Sequence, residues 1–332
     1  MSARDHYITK STSVAPAPGT PHLWLAFLEQ ATNGDKELQR FLQQMCGYCL
    51  TGSTREHALF YIHGNGGNGK TVFLNTVAHI MGDYAVTAPM DTFTASKSDR
   101  HPTDLAMLRG ARLVAVSETE EGRVLKESLI KQLTGGDQVT ARFMRQDFFT
   151  YTPQFKIVII GNHKPRLRTV DDAMRRRINI IPFVFKPQNP DPCLEDKLKA
   201  EHPQILQWMI DGCHDWQKNG LIRPKIVQQA TADYFDTQDL FGQWLDENCN
   251  TGPGNSATAS VLFDDWMKYA ERRGERAGSM PSFTDNLIKR GFTKRRTSAA
   301  NFYDGLALKD KMPSSPPPPM GMAGLSTLMG SS

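Results

Sequence analysis

Short apolar runs alternate with amphipathic stretches along the central part of the chain. The apolar runs, rich in β-branched and aromatic residues, predict strands at 57–63, 84–88, 111–117, 155–161 and 178–184. Stretches in which apolar residues recur every three or four positions predict helices at 70–81, 103–109 and 124–134. Because strands alternate with helices, we expect an α/β fold with a mostly parallel sheet and helices on both faces.

Helical patterns flank this core on both sides. Before it, Thr20 and Pro21 are typical of a helix cap and first helical residue, and a second helix is predicted to end near Leu50. After it, helices are predicted at 194–200, 203–218, 239–249, 259–273 and 282–290, with a hairpin across 292–308. The last three helices and the hairpin suggest a winged-helix module of the helix-turn-helix type.

The same pattern divides the chain into six segments. Polar, Pro-rich ends predict a flexible arm at 1–19 and a disordered tail at 310–332. Between them we expect a helical collar at 20–52, an α/β core at 53–186, a linker and helical segment at 187–236 and the winged-helix module at 237–309.

The composition fits an ordinary soluble protein, with 39% hydrophobic and 22% charged positions among 332 residues. No apolar run reaches membrane-spanning length, so we expect a cytoplasmic protein with no membrane partner. The net charge of +4 is mild, so a nucleic-acid site has to be a local basic patch. Five cysteines fit a reducing compartment, and Cys46 and Cys49 share an apolar helix face that favours buried thiols over metal ligands.

One stretch of the core carries a specific phosphate-binding signature. The first predicted core strand runs into a glycine-rich turn and then a helix, and the turn matches G-x-x-x-x-G-K-[ST]. We expect ATP phosphates to be cradled by the turn residues Gly64, Asn65, Gly66, Gly67, Asn68 and Gly69. Lys70 is expected to reach the β- and γ-phosphates, and the Thr71 hydroxyl to ligate Mg²⁺. A chance glycine-rich turn is the weaker alternative, because the strand and helix context is present.

Two further strands end in polar residues suited to nucleotide hydrolysis. Glu118 ends one buried strand and is expected to hold Mg²⁺ or to orient the attacking water. Glu120 and Glu121 either share the metal or only solvate the turn. Asn162 follows another buried strand and is suited to positioning water near the γ-phosphate without titrating.

Positive charge is concentrated in residues 164–178. Only Asp171 and Asp172 oppose the six cations Lys164, Arg166, Arg168, Arg175, Arg176 and Arg177. The run is either a solvated basic face or the source of an arginine that stabilises transition-state charge in a neighbouring subunit.

The order of these motifs resembles the superfamily 3 helicases. GNGGNGKT, LVAVSETEEG, LIKQLTGGDQVTARFMRQDFFTYTPQFK, GNHKP and DDAMRRRINIIPF are similar to the phage and plasmid primase-helicases, which are related to poxvirus and satellite-phage replication proteins. The resemblance extends over roughly residues 20–308. It implies an AAA+ ATPase that forms a hexameric ring and translocates on single-stranded DNA.

The resemblance also implies roles for single residues. Walker A is Lys70 and Thr71, the Walker B acid is Glu118, the sensor is Asn162, and the arginine finger is Arg176 or Arg177. A common Walker B strand ends in two acids, whereas Ser117 precedes Glu118 here. Which residues share the binding of Mg²⁺ with Glu118 is therefore left open.

A β-hairpin is predicted where the α/β alternation breaks between residues 135 and 152. By the resemblance it would line the pore of the ring, with Arg142 and Arg145 contacting DNA phosphates, and we assign a further DNA contact to Lys164. A second set of cations surrounds the last predicted helix and wing, and it represents either DNA contacts or generic surface charge: Arg272, Arg273, Arg276, Lys289, Arg290, Lys294, Arg295 and Arg296.

On this resemblance we expect an ATP-dependent DNA helicase of phage, prophage or plasmid replication in a bacterial cytoplasm. It would act as a homo-hexamer on single-stranded DNA and forked duplex. Because the chain starts at the collar, we expect no primase activity from it, and a separate primase is a candidate partner. The alternatives are a DNA-binding loader or initiator that does not unwind, and a P-loop kinase of small molecules, which leaves the hairpin and the winged helix without a role.

Overall fold

The computed structural model describes residues 9–95, 103–118, 120–168, 170–275, 277–297 and 300–309. It divides into two compact units that meet in sequence between Asp239 and Leu240. Residues 1–8 of the predicted arm, Arg276 and the predicted tail at 310–332 lie outside the described residues. No helix in the described part of the chain is both long and apolar enough to cross a membrane.

The first unit contains a parallel sheet and the helices that cover it. Its helices are α1 (His22–Ala31), α2 (Lys36–Cys49), α3 (Lys70–Met81), α4 (Thr103–Ala106), α5 (Glu127–Gly135), α6 (Asp172–Arg175), α7 (Leu194–Leu198), α8 (His202–Asn219) and α9 (Lys225–Gln238). Its strands are β1 (Leu59–His63), β2 (Ala85–Pro89), β3 (Leu113–Glu118), β4 (Val139–Ala141), β5 (Phe149–Tyr151), β6 (Lys156–Gly161) and β7 (Ile178–Pro182).

Five of these strands form a parallel sheet in the order β2-β3-β6-β1-β7, which confirms the predicted α/β core. Alternate residues of one strand face two different apolar cores. In β6, Val158 and Ile160 belong to the core shared with α1, α2, α3 and α8. Ile157 and Ile159 belong to the core shared with α5 and α9. Because both faces are covered, the strands are apolar almost throughout, as expected for a buried parallel sheet.

The first helix begins differently from the prediction at Thr20. Its N-cap residue is Pro21, which makes no side-chain capping bond. The backbone N–H groups of Leu23 and Trp24 instead each donate to the carboxylate of Glu201, at 2.9 Å. A carboxylate at a helix N-terminus satisfies free N–H groups and interacts favourably with the helix dipole. Glu201 therefore takes the role that the sequence pattern assigned to Thr20.

Residues 9–19, predicted as part of a flexible arm, lie against the first unit. The backbone N–H of Ser13 donates to the carbonyl of Ile80 at 3.1 Å, and that of Ala17 donates to the carbonyl of Pro203 at 3.1 Å. Because these bonds join the segment to α3 and α8, this part of the chain is not a projecting arm.

The segment predicted as a linker, 187–236, also packs onto the first unit. Its helix α9, which the sequence pattern does not predict, lies against β7, with the Thr231 hydroxyl accepting from the Ile180 N–H at 3.0 Å. Tyr234 is buried and donates to the carbonyl of Pro165 at 2.6 Å. The boundary between the two units therefore falls after Asp239 rather than after residue 236.

In its described residues, the second unit combines three helices with a three-stranded antiparallel sheet. Its elements are α10 (Leu240–Asn248), β8 (Cys249–Thr258), α11 (Ala259–Arg272), α12 (Met280–Lys289), β9 (Thr293–Arg296) and β10 (Asn301–Leu308). The sheet order is β8-β10-β9, so the predicted hairpin is β9 and β10. The sequence of β8, Cys-Asn-Thr-Gly-Pro-Gly-Asn-Ser-Ala-Thr, lacks the apolar alternation that marks a strand, so the pattern does not predict this strand.

Candidate nucleotide-binding site

The C-terminal ends of three neighbouring strands form a cleft at one edge of the parallel sheet. β3, β6 and β1 are adjacent, and a cleft of about 410 Å³ lies beside their ends. It is lined by residues 66–72, which form the loop after β1 and the first turn of α3, by Ser117 and Glu118 of β3, and by Gly161 and Asn162 at the end of β6. The structure thus brings together the three motifs that the sequence placed at separate strand ends. Such crevices are where open α/β sheets bind nucleotide phosphates.

Lys70 is buried beneath the glycine-rich loop, with 6% of its surface exposed. Its ammonium group donates to the Gly64 carbonyl at 2.6 Å, to Asn68 Oδ1 at 2.8 Å and to Asn162 Oδ1 at 3.1 Å. Burial lowers the pKa of Lys70, and all three acceptors are neutral. A buried ammonium with neutral partners gains from a nearby anion, so this loop fits the phosphates of a nucleotide.

Two glycines of the loop are required by close contacts. A Cβ on Gly64 would lie 2.0 Å from the carbonyl oxygen of Phe183. Gly69 has φ +83°, and a Cβ there would lie 2.6 Å from Cε2 of Phe27, a residue of α1. Helix α1 therefore packs against the glycine-rich loop at Gly69. Sequence reasoning missed Phe27 because its apolar position predicts only a helix face and does not reveal what that face contacts.

The remaining loop residues divide between the cleft and the protein surface. Gly66 and Gly67 line the cleft, and the Gly66 N–H donates to Asn162 Oδ1 at 3.3 Å. Asn68 is buried and donates to the carbonyl of Phe183, which ties the loop to the end of β7. Asn65 is exposed outside the cleft lining.

Glu118 is the buried acid of the cleft, with 5% of its surface exposed. Its Oε1 accepts from the Glu120 N–H at 2.7 Å, whereas Oε2 is buried and has no hydrogen-bond partner among the described residues. A buried carboxylate oxygen without a partner is unfavourable. Oε2 therefore fits a cation or a water molecule that a bound nucleotide would bring, and the exposed Thr71 lines the same cleft.

Arg123 fixes the turn that follows Glu118. Its guanidinium lies 2.5 Å from Glu120 Oε2 and 3.0 Å from Asp91 Oδ1. Because the Glu120 N–H also orients Glu118, this ion pair holds the backbone that sets the acid in place. The pair favours a structural role for Glu120 over metal binding, and Glu121 is exposed. Sequence reasoning missed Arg123, since its partner Asp91 comes from a distant stretch of the chain.

Lys164, predicted to contact DNA, lies on the loop after β6 and not on the hairpin. It is half-buried near His63, the last residue of β1. Burial and the charge of Lys164 together lower the pKa of His63. The structure therefore places Lys164 at the edge of the sheet that carries the cleft.

Arg176 and Arg177, the two candidates for an arginine finger, differ in exposure. Arg177 is 8% exposed, and its guanidinium donates to Thr134 Oγ1 at 3.1 Å and to the Ala173 carbonyl at 2.9 Å. The side chain of Arg176 is exposed, while its carbonyl accepts from Arg223 at 2.6 Å. Arg177 thus makes hydrogen bonds within its own chain, whereas the side chain of Arg176 is exposed to solvent.

The predicted β-hairpin is formed by β4 and β5, which pair antiparallel. Val139 and Ala141 turn one face of it toward the core, and the loop between the strands carries Arg142 and Arg145. Arg145 is exposed and has φ +59°. The structure therefore places both arginines in the hairpin loop.

Several cations predicted to surround the winged helix form contacts inside the second unit. Arg273 lies 3.1 Å from Glu247, and Arg295 lies 3.0 Å from Asp304. Lys294 is exposed on β9. Part of this charge is therefore paired with acidic residues of the same unit.

Cys46 and Cys49 are buried free thiols in the core of the first unit, as predicted. Burial raises the pKa of the Cys49 thiol to about 11. These residues therefore belong to the packing of α2 and not to a chemical site.

Comparison with known proteins identifies relatives among large DNA viruses. A family model described as a family of unknown function, DUF5906, matches residues 62–177. "Putative helicase L207/L206" of Acanthamoeba polyphaga mimivirus is 28% identical over 249 residues, which is 67% of this chain and 26% of that protein. "Putative primase C962R" of African swine fever virus is 25% identical over 230 residues, 63% of this chain and 24% of that protein. The chain spans about a quarter of the length of these viral relatives.

A solved structure shares the fold. The apo structure of the NrS-1 C-terminal region superposes with a TM-score of 0.52 at 13% sequence identity, covering 88% of this chain and 76% of that one. The chain is thus similar in sequence to viral proteins named as helicases and primases, and similar in fold to the NrS-1 C-terminal region.

Proposed function

We propose that this chain is an ATP-dependent DNA helicase of a replication system, which acts as a hexameric ring on single-stranded DNA. The observation that carries the proposal is the cleft in which Lys70, Glu118 and Asn162 meet. The family-model match at 62–177 includes all three residues. The names of the viral relatives, helicase and primase, support a role in replication, and the resemblance of the motif order to superfamily 3 helicases supports unwinding in particular.

The residues of the cleft are suited to ATP hydrolysis. Bound ATP and Mg²⁺ would supply the phosphoanhydride bond and the divalent charge that polarises it. Lys70 places a fixed positive charge under the phosphates, and Thr71 and Glu118 offer oxygen ligands to the metal. The unpartnered Oε2 of Glu118 can serve either as that metal ligand or as a hydrogen-bond acceptor that orients the attacking water. The Asn162 amide, held beside Lys70, can orient that water without titrating.

A ring would complete each site from the neighbouring subunit. An arginine supplied in trans stabilises the charge that develops on the transferred phosphoryl group. We assign this role to Arg176, because its side chain is exposed. Arg177, in contrast, is buried and donates hydrogen bonds to residues of its own chain.

Two elements are suited to DNA. The hairpin loop carries Arg142 and Arg145, and a ring would present six copies of each to a strand in its channel. The element order α10-β8-α11-α12-β9-β10 is compatible with the predicted winged helix, and we assign duplex binding to the second unit on that basis.

The proposal is tested by steady-state ATP hydrolysis of the full chain with and without single-stranded DNA. We expect DNA to stimulate hydrolysis, and Glu118→Gln to lower kcat by about 10²-fold or more while ATP still binds. Lys70→Ala should lose ATP binding itself. The matched control is Glu121→Gln, an exposed acid on the same turn, which should hydrolyse ATP normally. Equal rates of ATP hydrolysis by Glu118→Gln and Glu121→Gln would show that Glu118 takes no part in the reaction.

The reaction products distinguish a helicase from the two alternative activities, a small-molecule kinase and a DNA-binding loader. A small-molecule kinase would transfer phosphate to an acceptor and would show no response to DNA. A loader would hydrolyse ATP with DNA but would not separate a forked duplex.

A further inference from the structure

The tip of the β4–β5 hairpin exposes large apolar side chains. Phe143 is 37% exposed, Met144 is 66% exposed and Phe148 is 59% exposed, all in one short loop. Leaving such groups in water is unfavourable, and exposed apolar clusters often mark binding surfaces. Phosphate contacts by Arg142 and Arg145 do not account for these side chains.

The Phe143 ring is held in place by an aromatic residue of β5. It stacks on Phe149 of β5, with ring centroids 5.7 Å apart and planes at 29°. The guanidinium of Arg109 lies 4.9 Å from the centre of the Phe149 ring, and Tyr151 of the same strand donates to the Leu105 carbonyl at 2.6 Å. The stack thus continues from the body of the first unit to the tip, so the exposed ring has a fixed orientation.

The Phe148 ring is held by a cation. The guanidinium of Arg142 lies 4.7 Å from its centre, within the range of a cation–π interaction. Rings fixed before binding lose little conformational entropy when a ligand stacks on them.

The loop backbone is also specialised. The N–H of Gln146 donates to the carbonyl of Phe143 at 3.1 Å, which closes a turn around Arg145. Arg145 occupies the left-handed region at φ +59°, where glycine or asparagine is favoured. Because strained backbone positions cluster at functional sites, we infer that the charge of Arg145 has a role in binding. Arg142 and Arg145 against Asp147 give the loop a positive balance that suits a polyanion.

We propose that the hairpin tip binds single-stranded DNA through its bases, with Phe143 and Phe148 as stacking surfaces beside the phosphate contacts of Arg142 and Arg145. This inference rests on the proposed function. A single strand fits the tip because it combines unstacked base faces with phosphates, and the tip alternates rings with cations. A purely apolar partner would leave these cations without a role, and a duplex keeps its base faces covered.

The test compares two strands of equal length, an oligothymidylate and a strand of stable abasic residues, binding to the full chain with Mg²⁺ and a non-hydrolysable ATP analogue. The wild-type chain should bind the thymidylate strand at least about tenfold more tightly. Phe143→Ala and Phe148→Ala should each weaken thymidylate binding about tenfold and leave abasic binding unchanged. Phe148→Trp should retain the preference, because tryptophan also stacks. The control Ile222→Ala, which truncates a 42% exposed apolar side chain between α8 and α9, should change neither affinity.

Salt dependence separates stacking from charge. The phenylalanine variants should keep the wild-type slope of affinity against salt, whereas Arg142→Ala with Arg145→Ala should flatten it. Equal wild-type affinity for both strands would overturn the inference. Native mass spectrometry of Phe143→Ala and Phe148→Ala checks whether the subunits still assemble. If assembly is lost while the preference for the thymidylate strand is unchanged, the stacking inference is overturned and the rings form contacts between hairpins instead.

The same data distinguish the two proposals. DNA-stimulated ATP hydrolysis without any preference for bases contradicts only the stacking inference. Absence of binding to either strand contradicts both.

Discussion

Replacing Gly69 by alanine tests whether α1 supports the phosphate loop. At φ +83° an L-residue loses roughly 1–2 kcal/mol relative to glycine. The new Cβ would also lie 2.6 Å from Cε2 of Phe27, whose ring is 8% exposed and packs 5.5 Å from Trp24. Displacing a packed ring typically costs about 1–3 kcal/mol. We therefore expect Gly69→Ala to lower the free energy of unfolding by about 2–5 kcal/mol.

The assay is urea unfolding of the full chain, combined with binding of a fluorescent ATP analogue. Phe27→Leu removes the ring atoms that the new Cβ would meet. In that background Gly69→Ala should cost only the backbone part, so the double-mutant cycle should give a coupling energy of about 1–3 kcal/mol. Gly66→Ala is the matched control, because a Cβ at Gly66 meets no atom within 4 Å. Additive costs, or a neutral Gly69→Ala, would refute support of the loop by Phe27.

Three further predictions concern residues around the cleft and beneath the sheet. Arg177→Ala should lower the free energy of unfolding by about 2 kcal/mol through its lost buried hydrogen bonds, whereas Arg176→Ala should leave unfolding unchanged and abolish ATP hydrolysis by the assembled protein. Arg123→Ala should lower kcat for ATP roughly tenfold with little change in KM, because Glu118 loses its orientation. Burial lowers the pKa of Lys156 to about 8 from 10.5. Between these pH values the unfolded chain therefore binds the proton that the folded chain has released. Lys156 alone should therefore make the free energy of unfolding rise with pH across this window by on the order of 3 kcal/mol, and this contribution is measured as the difference between the wild-type chain and Lys156→Met.

Each of these predictions has a contrary outcome. Arg177→Ala and Arg176→Ala with equal stability and equal ATPase rates would contradict the assignment of their roles. Unchanged kcat in Arg123→Ala would show that the turn after β3 holds its shape without the ion pair. Parallel unfolding curves against pH for the wild-type chain and Lys156→Met would contradict the low pKa.

Local pattern was sufficient to predict the parallel core and the positions of the main cleft residues. Strands buried on both faces are apolar runs, and such runs identified β1, β3 and β6 within two residues of their observed ends. Because the C-terminal ends of parallel strands share one edge, Lys70, Glu118 and Asn162 could be expected to meet. A glycine-rich turn that joins a strand to a helix and ends in Lys-Thr is a specific signal for phosphate binding.

Contacts between distant parts of the chain could not be predicted in this way. Glu201 caps α1 from the start of α8, and Phe27 packs under Gly69, yet neither sequence neighbourhood indicates its partner. The strand β8 forms by pairing with β10 despite a sequence of glycine, proline and polar residues. Arg176 and Arg177 are adjacent and chemically identical, so only burial separates their roles.

Strand displacement on a forked DNA duplex, by the full chain with ATP and Mg²⁺, tests the proposed helicase activity itself. We expect the wild-type chain to separate the strands and Lys70→Ala to leave them paired, while both proteins fold and bind the fork alike. Separation of the duplex by Lys70→Ala, or its absence in a wild-type chain that hydrolyses ATP on DNA, would contradict the proposed function.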